Sequence, residues 1–375
     1  MPTQPRIAIV CDFLTVMGGA ENVVLAMHEA FPQAPIYTAL YDKPTMPAFR
    51  NLNVRTTWLQ RLPAPLRKTY KLFPTLAVHA FKKLDLSQFD IILTSSYLAA
   101  NQVRKTHPNQ VLISYCHTPA RYYWSHYSEY KKAPGIHPLL DPLVRLAMPL
   151  LVPLYRKRDY QAAQHVDVFI ANSTTVQARI RQYYHKPSII VHPPVDVARF
   201  SPARERGAHY VTSGRQLAYK HHDIAVRACS QLGVPLIVFG NGPMHEKLVA
   251  MAGPTIEFRT DRHSNASDTE LEACLNTARG FIFPAEEDFG IVSVEALAAG
   301  APVIGFSKGG TTDIVTNSET GVLFDEQTVQ ATIDAITKAA SLQFFPSKLN
   351  RTARRFDKSL FITKIRKIVY DNAKD

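Results

Sequence analysis

The most chemically capable stretch of the chain is residues 283–295, Phe-Pro-Ala-Glu-Glu-Asp-Phe-Gly-Ile-Val-Ser-Val-Glu. Two of its carboxylates, Glu287 and Glu295, are eight positions apart. Glu287 follows a short apolar run typical of a strand, so its carboxylate is placed to accept hydrogen bonds from sugar hydroxyls. Glu295 falls about one turn into a predicted helix, where it could accept from the hydroxyls of a ribose. The spacing predicts recognition of a polyhydroxylated ligand.

The predicted helix offers a second kind of chemistry at its first turn. Its opening residues, Gly290, Ile291 and Val292, would present unpaired N–H groups to an anion such as a pyrophosphate. Charges at a helix start usually only complement the helix dipole. Here the ordered run, from Phe289 to the helix stop at Gly300, favours a ligand site instead.

Two cations follow another predicted strand, Tyr210–Ser213. Gly214 and Arg215 come directly after it, and Lys220 lies five positions further on. A guanidinium can bind a phosphate through two hydrogen bonds, and a lysine adds a point charge. A solvated basic turn is the alternative, and these residues alone leave both open.

Three weaker signals lie at other strand ends. Gly18 and Gly19 precede a predicted helix and allow close backbone approach, although a structural turn is the alternative and no Gly-x-Gly-x-x-Gly follows the strand. His117 ends a predicted strand, where it could bind a sugar or a developing charge, or serve as a structural histidine. Arg259 could read a guanine edge or be a surface arginine.

Short β-branched runs alternate with longer helical stretches, which predicts parallel α/β layers. The predicted strands are Ile7–Val10, Ile36–Ala39, Ile91–Thr94, Val111–Tyr115, Val168–Ala171, Tyr210–Ser213, Leu236–Phe239, Ile256–Phe258, Gly280–Phe283 and Val303–Gly305. We predict two doubly wound domains, residues 1–192 and 208–348, joined by a proline-rich linker, residues 193–207. Ligands would bind at the carboxyl ends of the strands.

The sequence of residues 349–375, at the end of the chain, predicts a closing helix. This helix either only ends the second domain or also packs against the first. Its basic, helix-periodic part is Leu349–Tyr370. The expected buried stripe is Phe356, Leu360, Ile365 and Val369.

The run from Glu287 to Glu295, with Gly300-Ala-Pro-Val-Ile after it, resembles the Glu-x7-Glu signature of family 4 glycosyltransferases. The glycine loop at Gly18–Glu21, the Gly214-Arg215…Lys220 set and the loop around Gly240 are similar to other motifs of that family. Pro194 departs from the family's Asn-Gly in the linker. The resemblance implies the α/β GT-B fold, two Rossmann-like domains facing across a cleft, with the acceptor on the first and a nucleotide sugar on the second.

By this resemblance the candidate residues fall into two groups. The catalytic group is His117, Arg215, Lys220 and Glu287. The donor-binding group is Gly18, Gly19, Gly214, Gly240, Arg259, Phe289, Gly290, Ile291, Val292 and Glu295. The two cations would neutralise the diphosphate leaving group, and the family likeness implies retention of configuration. No Asp-x-Asp is present, so we expect no metal and no cofactor besides the donor.

The string Cys116–Trp124 resembles a subset of the family similar to the mannosyltransferases of O-antigen assembly. This likeness implies GDP-mannose as the donor, with UDP-hexoses as the alternative. The sequence also leaves open an epimerase of the same fold, a non-catalytic subunit and a basic nucleic-acid-binding protein. The last has no recognition motif and leaves Glu287 and Glu295 unexplained, so we expect no nucleic-acid partner.

The net charge of +12 lies wholly in the first half of the chain. Residues 1–200 contain 23 Lys and Arg against 11 Asp and Glu, whereas the rest contains 20 of each. An acidic partner should therefore meet the first half. Arg50–Lys83 mixes basic and apolar residues in a way that suits an anionic membrane or an ordinary amphipathic core helix. A lipid-linked acceptor would explain the asymmetry.

Two further patterns bear on location. The longest apolar stretch, Leu139–Tyr155, contains charges and three prolines, so it predicts no spanning helix, although it could lie against a bilayer. The four cysteines have no paired spacing and read as reduced thiols. We expect a cytoplasmic protein associated with the inner face of the cytoplasmic membrane.

Overall fold

Two parallel sheets organise the chain in this computed structural model, which describes residues 4–68, 74–132, 141–260 and 267–373. The first unit comprises Met1–Pro194 together with Phe361–Asp375, and the second comprises Val195–Leu360. The strands are β1 (Ile7–Cys11), β2 (Ile36–Thr38), β3 (Val54–Thr56), β4 (Ile91–Ser96), β5 (Val111–Cys116), β6 (Val168–Ala171), β7 (Ser188–Ile190), β8 (Tyr210–Ser213), β9 (Leu236–Phe239), β10 (Ile256–Phe258), β11 (Gly280–Phe283), β12 (Val303–Phe306) and β13 (Gly321–Phe324).

Helices connect and cover these strands. They are α1 (Gly19–Ala30), α2 (Ala64–Lys68), α3 (Pro74–Lys82), α4 (Tyr127–Lys132), α5 (Asp141–Gln164), α6 (Thr174–Tyr184), α7 (His222–Leu232), α8 (His245–Ala250), α9 (Asp268–Thr277), α10 (Ile291–Ala298), α11 (Thr311–Ile314), α12 (Val329–Ser341), α13 (Pro346–Ala353) and α14 (Lys358–Asp371). The first sheet has the order β3-β2-β1-β4-β5-β6-β7 and the second β10-β9-β8-β11-β12-β13. The predicted α/β fold with two doubly wound domains is confirmed.

Both sheets reverse their strand order once, which determines where a ligand can bind. The reversal lies between β1 and β4 in the first sheet and between β8 and β11 in the second. All pairings are parallel, and every residue of β1 is buried, as expected for strands covered on both faces. In such sheets the crevice lies outside the carboxyl ends of the strands at the reversal.

All ten predicted strands are present, with ends that agree within two residues. Three strands were missed: β3, β7 and β13. Each lies at an edge of its sheet, and β3 and β7 are only three residues long with partly exposed side chains. These two strands bury less apolar surface, so their sequences carry a weaker apolar signal, whereas β13 is mostly buried.

The predicted linker is wrong in its second part. From Val195 onward the chain belongs to the second unit, because Val195, Val197 and Phe200 are buried in its core. The Arg206 guanidinium donates to four backbone carbonyls of the second unit, those of Leu275, Asn276, Ala278 and Ala299, with the Ala278 carbonyl at 2.7 Å. The prolines and charges of residues 193–207 are typical of a linker, but the side chains of Val195, Val197 and Phe200 anchor the segment in the core.

The closing helix is also different from the prediction. Leu349–Tyr370 is divided into α13, a 3₁₀ turn and α14, so one helical period does not run through it. Leu360 is exposed, and Phe361 takes its place beside Ile365 in the core of the first unit. Arg366 donates to the carbonyl of Ala30 at 2.9 Å, which ties α14 to the end of α1.

Helix α5 runs through the described part of the apolar stretch Leu139–Tyr155. Pro149 and Pro153 lie inside it, and each removes one backbone hydrogen bond. Among the helices of the described residues, none has the length and apolarity that a bilayer span requires. Residues 139 and 140, with which the predicted apolar stretch begins, lie outside the described residues.

A buried aspartate joins α5 to the loop that follows β5. Asp159 accepts from Trp124 Nε1 at 2.7 Å and from the Tyr184 hydroxyl at 2.8 Å. Burial raises the pKa of Asp159 from 3.8 to about 6, although both hydrogen bonds oppose the shift. The native state therefore takes up a proton here more readily than the unfolded chain.

We expect the stability difference between Asp159→Asn and the wild type to depend on pH. Because the pKa of Asp159 is raised in the native state, its contribution to stability is complete at pH values below the unfolded pKa. That contribution is lost as the pH rises through about 6. The difference in unfolding free energy should move in favour of Asn by about 2–3 kcal/mol between pH 4 and pH 8. Urea denaturation followed by tryptophan fluorescence measures it, because both tryptophans lie in the first unit.

Exposed Asp42→Asn is the control, since it removes the same charge without the burial. A flat pH profile for Asp159→Asn relative to the wild type would contradict the assignment of a raised pKa.

Candidate active site at two sets of strand ends

In the second unit, the loops after β8 and β9 lie in direct backbone contact. Gly214 N–H donates to the Phe239 carbonyl at 3.3 Å, and Gln216 N–H donates to Asn241 at 2.7 Å. The fully buried Gln216 side chain donates to the Gly240 carbonyl at 2.6 Å. This contact holds the Gly214-Arg215 turn in a fixed position beside the end of β8.

Gly240 is the residue that makes this approach possible. Its φ is +99°, and a Cβ there would collide with the Gly214 carbonyl. Any side chain would therefore strain the backbone and push the two loops apart. The sequence prediction placed Gly240 in the donor site, and the structure gives it the specific task of admitting Gly214.

Lys220 and Glu287 form an ion pair between their Nζ and Oε1 atoms. Both side chains are largely buried, at 16% and 18% exposure. Lys220 was predicted to meet a phosphate and Glu287 a sugar, and the structure brings the two together. Arg215, on the same loop, is exposed, so its guanidinium faces solvent at the end of β8.

Helix α10 begins at Ile291, one residue after the predicted start at Gly290, which is its N-cap. Gly290 has a φ of +92° and packs against the Phe283 ring, a backbone conformation that favours glycine. Phe289 is buried, and Val292 is half-buried in the first turn. The buried hydroxyl of Ser293 has no hydrogen-bond partner among the residues that the structure describes, so it remains available at the helix start.

Glu295 accepts from Arg199 Nη2 at 2.8 Å. Burial raises the pKa of the Glu295 carboxyl, and the Arg199 charge opposes that shift. Sequence reasoning missed Arg199, because the residue falls in a segment predicted to be a linker. A lone arginine in such a segment gives no signal of its partner 96 positions away.

His222 is a second residue that sequence reasoning missed. It is buried, and burial lowers its pKa to about 3, helped by the charge of Lys220. Its Nδ1 lies 3.2 Å from Thr212 Oγ1, while Nε2 has no partner within the described part of the chain. This neutral imidazole lies beside Gly214, at the first turn of α7.

A glycine pair after β12 completes this set of loops. Gly310 N–H donates to the Glu287 carbonyl at 2.8 Å, and a Cβ on Gly309 or Gly310 would collide with the backbone of Glu287 or Phe289. The pair therefore fixes the loop that carries Glu287. The signal in the sequence is the Gly-Gly dipeptide itself, although neither glycine was among the predicted site residues.

Arg259 lies at the end of β10, where its Nε is 2.8 Å from Glu257 Oε1. Both side chains are about half-exposed, at 47% and 54%. Arg259 is thus the outermost of the predicted donor residues in its sheet, beside residues 261–266, which lie outside the described part of the chain.

In the first unit, three candidate residues lie at the ends of β1 and β5. Gly18 is extended, at φ −168°, and α1 begins at Gly19, both exposed. His117 follows β5, where its Nε2 lies 2.8 Å from Ser95 Oγ and its carbonyl accepts from Asn172 at 2.9 Å. The ring of His117 is therefore oriented by β4 and its backbone by the end of β6.

Asp12, at the end of β1, organises the same edge of the first sheet. Its buried carboxylate accepts the backbone N–H groups of residues 97–100 at distances from 2.6 to 3.0 Å. Burial raises its pKa, and the four hydrogen bonds oppose the rise. Glu21, at the start of α1, has its pKa raised by burial to about 7. Neither carboxylate was predicted to have this role.

We expect Gly240→Ala to lower the unfolding free energy by about 2–4 kcal/mol, because it combines a strained φ with a collision against Gly214. Gly233→Ala is the matched control: Gly233 also has a positive φ, +65°, but open space around it, so its loss should be about 1 kcal/mol. Urea denaturation followed by far-UV circular dichroism compares them. Equal losses would contradict the role of Gly240 in loop contact.

Two family matches divide the chain near the observed boundary. Residues 17–199 match Glycosyltransferase Family 4, and residues 196–356 match Glycosyl transferases group 1. The loops described above fall within these two matches. Gly18, Gly19 and His117 belong to the first, and the other predicted site residues belong to the second.

Curated relatives include two D-inositol 3-phosphate glycosyltransferases. The one from Nocardioides sp. is 28% identical over 50% of this chain and 49% of its own length. The one from Mycobacterium bovis is 32% identical over 49% of this chain and 43% of its own length. The match thus spans about half the length of these relatives.

Solved structures share the fold over almost the whole chain. Anabaena HepE in complex with UDP has a TM-score of 0.68 at 15% identity, covering 97% of this chain and 100% of that one. Sucrose-phosphate synthase from Thermosynechococcus elongatus has a TM-score of 0.71 at 17% identity, covering 97% and 98%. With the two family matches, which together run from residue 17 to residue 356, this likeness shows the GT-B fold of two parallel-sheet Rossmann-like domains.

Proposed function

We propose that the protein is a retaining glycosyltransferase that moves a hexose from a nucleotide sugar to a lipid-linked or glycan acceptor. The observation that carries the proposal is the group of polar residues around the β8–β11 reversal of the second sheet. Lys220 and Glu287 are paired there, His222 Nε2 and Ser293 Oγ lack partners among the described residues, and α10 begins there. Cations, orphan polar atoms and a helix start together suit a diphosphate and a sugar.

The second unit supports a division of labour for the donor. Arg215 and Lys220 would neutralise the diphosphate as it leaves, and the N–H groups at Ile291 and Val292 would bind its oxygens. Glu287 would accept the hydroxyls of the sugar. Lys220 lies close enough to Glu287 to be held in position for the phosphate beside that sugar.

Glu295 would accept the ribose hydroxyls of the donor. Arg199 supports this role because its charge opposes the rise that burial causes in the pKa of the Glu295 carboxyl and so favours the ionised form. A charged carboxylate can accept two hydroxyl donors, and a neutral one accepts less well. Removal of Arg199 should therefore weaken ribose recognition indirectly.

GDP-mannose is the proposed donor, on the likeness of Cys116–Trp124 to mannosyltransferases. Arg259 could donate to the O6 and N7 atoms of a guanine, and Glu257 beside it could accept from the same base. UDP-hexoses are the second candidate, since the similar Anabaena structure contains UDP.

In the first unit, His117 would stabilise charge or bind the sugar near the reacting centre. Ser95 holds its Nε2 at 2.8 Å, which supports a defined ring orientation. For the chemical step, we propose that the leaving phosphate assists attack from the same face of the sugar. The protein then contributes positioning and charge stabilisation, with no metal required, since Arg215 and Lys220 supply the cationic charge.

An acidic or lipid-linked acceptor at an anionic membrane fits the charge of the first half of the chain. All of the net charge of +12 lies in residues 1–200. The curated relatives are named for a phosphorylated inositol, itself an anion. We propose peripheral association with the inner face of the cytoplasmic membrane. Of the basic segment Arg50–Lys83, residues 69–73 lie outside the described residues.

Calorimetric titration with GDP, UDP and ADP, and with their sugars, tests the proposed donor. We expect GDP and GDP-mannose to bind selectively, and Glu295→Ala to abolish that binding. Exposed Glu326→Ala in the same unit is the matched control and should bind as the wild type. Selective binding of UDP-hexoses would overturn the GDP assignment, and binding of no nucleotide would overturn the transferase proposal.

Turnover tests the roles of the two cations. Arg215→Ala and Lys220→Ala should each lower kcat by about 10²–10³-fold, the range for loss of one charge-stabilising group. Arg227→Ala, an exposed arginine on α7, should not. Addition of EDTA should leave the wild-type rate unchanged. Normal turnover in both variants, or loss of activity with EDTA, would contradict the metal-independent mechanism.

A further inference from the structure

We infer that one face of helix α5 is a membrane-docking surface that inserts leucines into an anionic bilayer. The inference rests on the proposed function, because a lipid-linked acceptor is what places the enzyme at a membrane. The surface, called here the α5 leucine stripe, consists of Leu143, Leu146, Leu150, Leu151 and Leu154.

The α5 leucine stripe is unusually exposed for side chains of its size. Leu143, Leu146 and Leu150 are 65%, 74% and 79% exposed, and Leu151 and Leu154 are 42% and 43% exposed. Leu143, Leu146, Leu150 and Leu154 follow one another at helical spacings of three and four residues over about 17 Å of helix, and Leu151 lies one turn before Leu154. A contiguous exposed apolar patch of this kind marks an interaction site.

The opposite face of α5 is fixed, so the exposure of the stripe follows from the orientation of the helix. Val152, Asp159 and Ala163 are buried. Arg156 Nε donates to the Tyr123 carbonyl at 2.5 Å, and its guanidinium lies over the Trp124 ring. Rotation of the helix to bury the leucines would break these contacts.

The charges around the stripe select the bilayer as its partner. Between Pro142 and Arg158 the sequence contains four basic residues and no carboxylate. Arg145 and Lys157 are exposed beside the leucines. Partial burial lowers the pKa of Lys82, and the charges of Arg104 and of Arg158 on α5 lower it further, so Lys82 is a further cation within electrostatic reach of α5. Exposed leucines flanked by cations fit anionic headgroups over an apolar layer.

An interfacial position also agrees with the length of the stripe. A helix that crosses a bilayer needs about 20 apolar residues, whereas the stripe spans 12 residues and has a buried opposite face. The helix would therefore lie in the plane of the membrane. Because Trp124 and Asp159 tie α5 to the loop after His117, docking would bring that loop close to lipid-linked acceptors.

Vesicle co-sedimentation of the full chain tests the inference. We expect binding to vesicles of equimolar phosphatidylcholine and phosphatidylglycerol, weaker binding to phosphatidylcholine alone, and a fraction that survives high salt. Leu146→Ser with Leu150→Ser should lower the affinity at least about tenfold and make the residual binding fully salt-sensitive. Val249→Ser, a 48% exposed apolar residue of the second unit, should bind as the wild type.

Three outcomes would overturn the inference. One is no binding of the wild type to either vesicle. Another is equal binding of the double leucine variant and Val249→Ser. The third is a dimer in sedimentation velocity without lipid that the leucine substitutions dissociate, which would make the stripe a contact between two copies of the chain.

Donor titration separates this inference from the proposed function. The leucine variant should bind the nucleotide sugar as the wild type does, since its substitutions lie in the other unit. Vesicle binding without nucleotide binding would remove the transferase proposal and leave the docking surface. Nucleotide binding without vesicle binding would remove the docking surface and leave the transferase proposal.

Discussion

A carboxylate taken out of water must meet either hydrogen-bond donors or a cation, and much of this structure is arranged around that requirement. Asp12 meets four backbone N–H groups, Glu295 meets Arg199, and Glu287 meets Lys220. Each carboxylate lies just beyond a strand or near a helix start, where main-chain groups are also unpaired. Satisfying the charge therefore fixes the loops that form the site.

The carboxylates at the strand ends satisfy this requirement by different means in the two units. Asp12 in the first unit uses backbone donors, which cannot move without unfolding the loop after β4. The second uses the side chains of Lys220 and Arg199, which can rotate and exchange partners. A charge held by backbone amides is a permanent part of the scaffold, whereas a charge held by a flexible cation can be transferred to an anionic ligand at modest cost. The second arrangement suits a site whose ligand arrives and leaves charged.

The fold was accessible from the sequence because buried parallel strands are apolar throughout and are separated by helical periods. The Glu287–Glu295 spacing and the loop glycines were equally visible, because φ and loop approach restrict the residue type at Gly240 and Gly290. Arg199 and His222 were not visible, since their roles depend on contacts between distant segments. The edge strands β3 and β7 were missed because their side chains are only partly buried. The leucines of α5 are exposed because Asp159 anchors the opposite face of the helix. Hydrophobic periodicity alone does not show which face is buried.

The return of the last helix to the first unit has a consequence for how the chain folds. Phe361 and Ile365 belong to the core that also contains β1 and α1, so contacts of that core join residues more than 300 positions apart in the chain. The second unit, Val195–Leu360, is inserted between the two parts of the first and is a compact unit of its own. During synthesis it can fold while the first unit still lacks its closing helix. The long loop that closes only at the end makes the first unit the slower of the two to reach its native core.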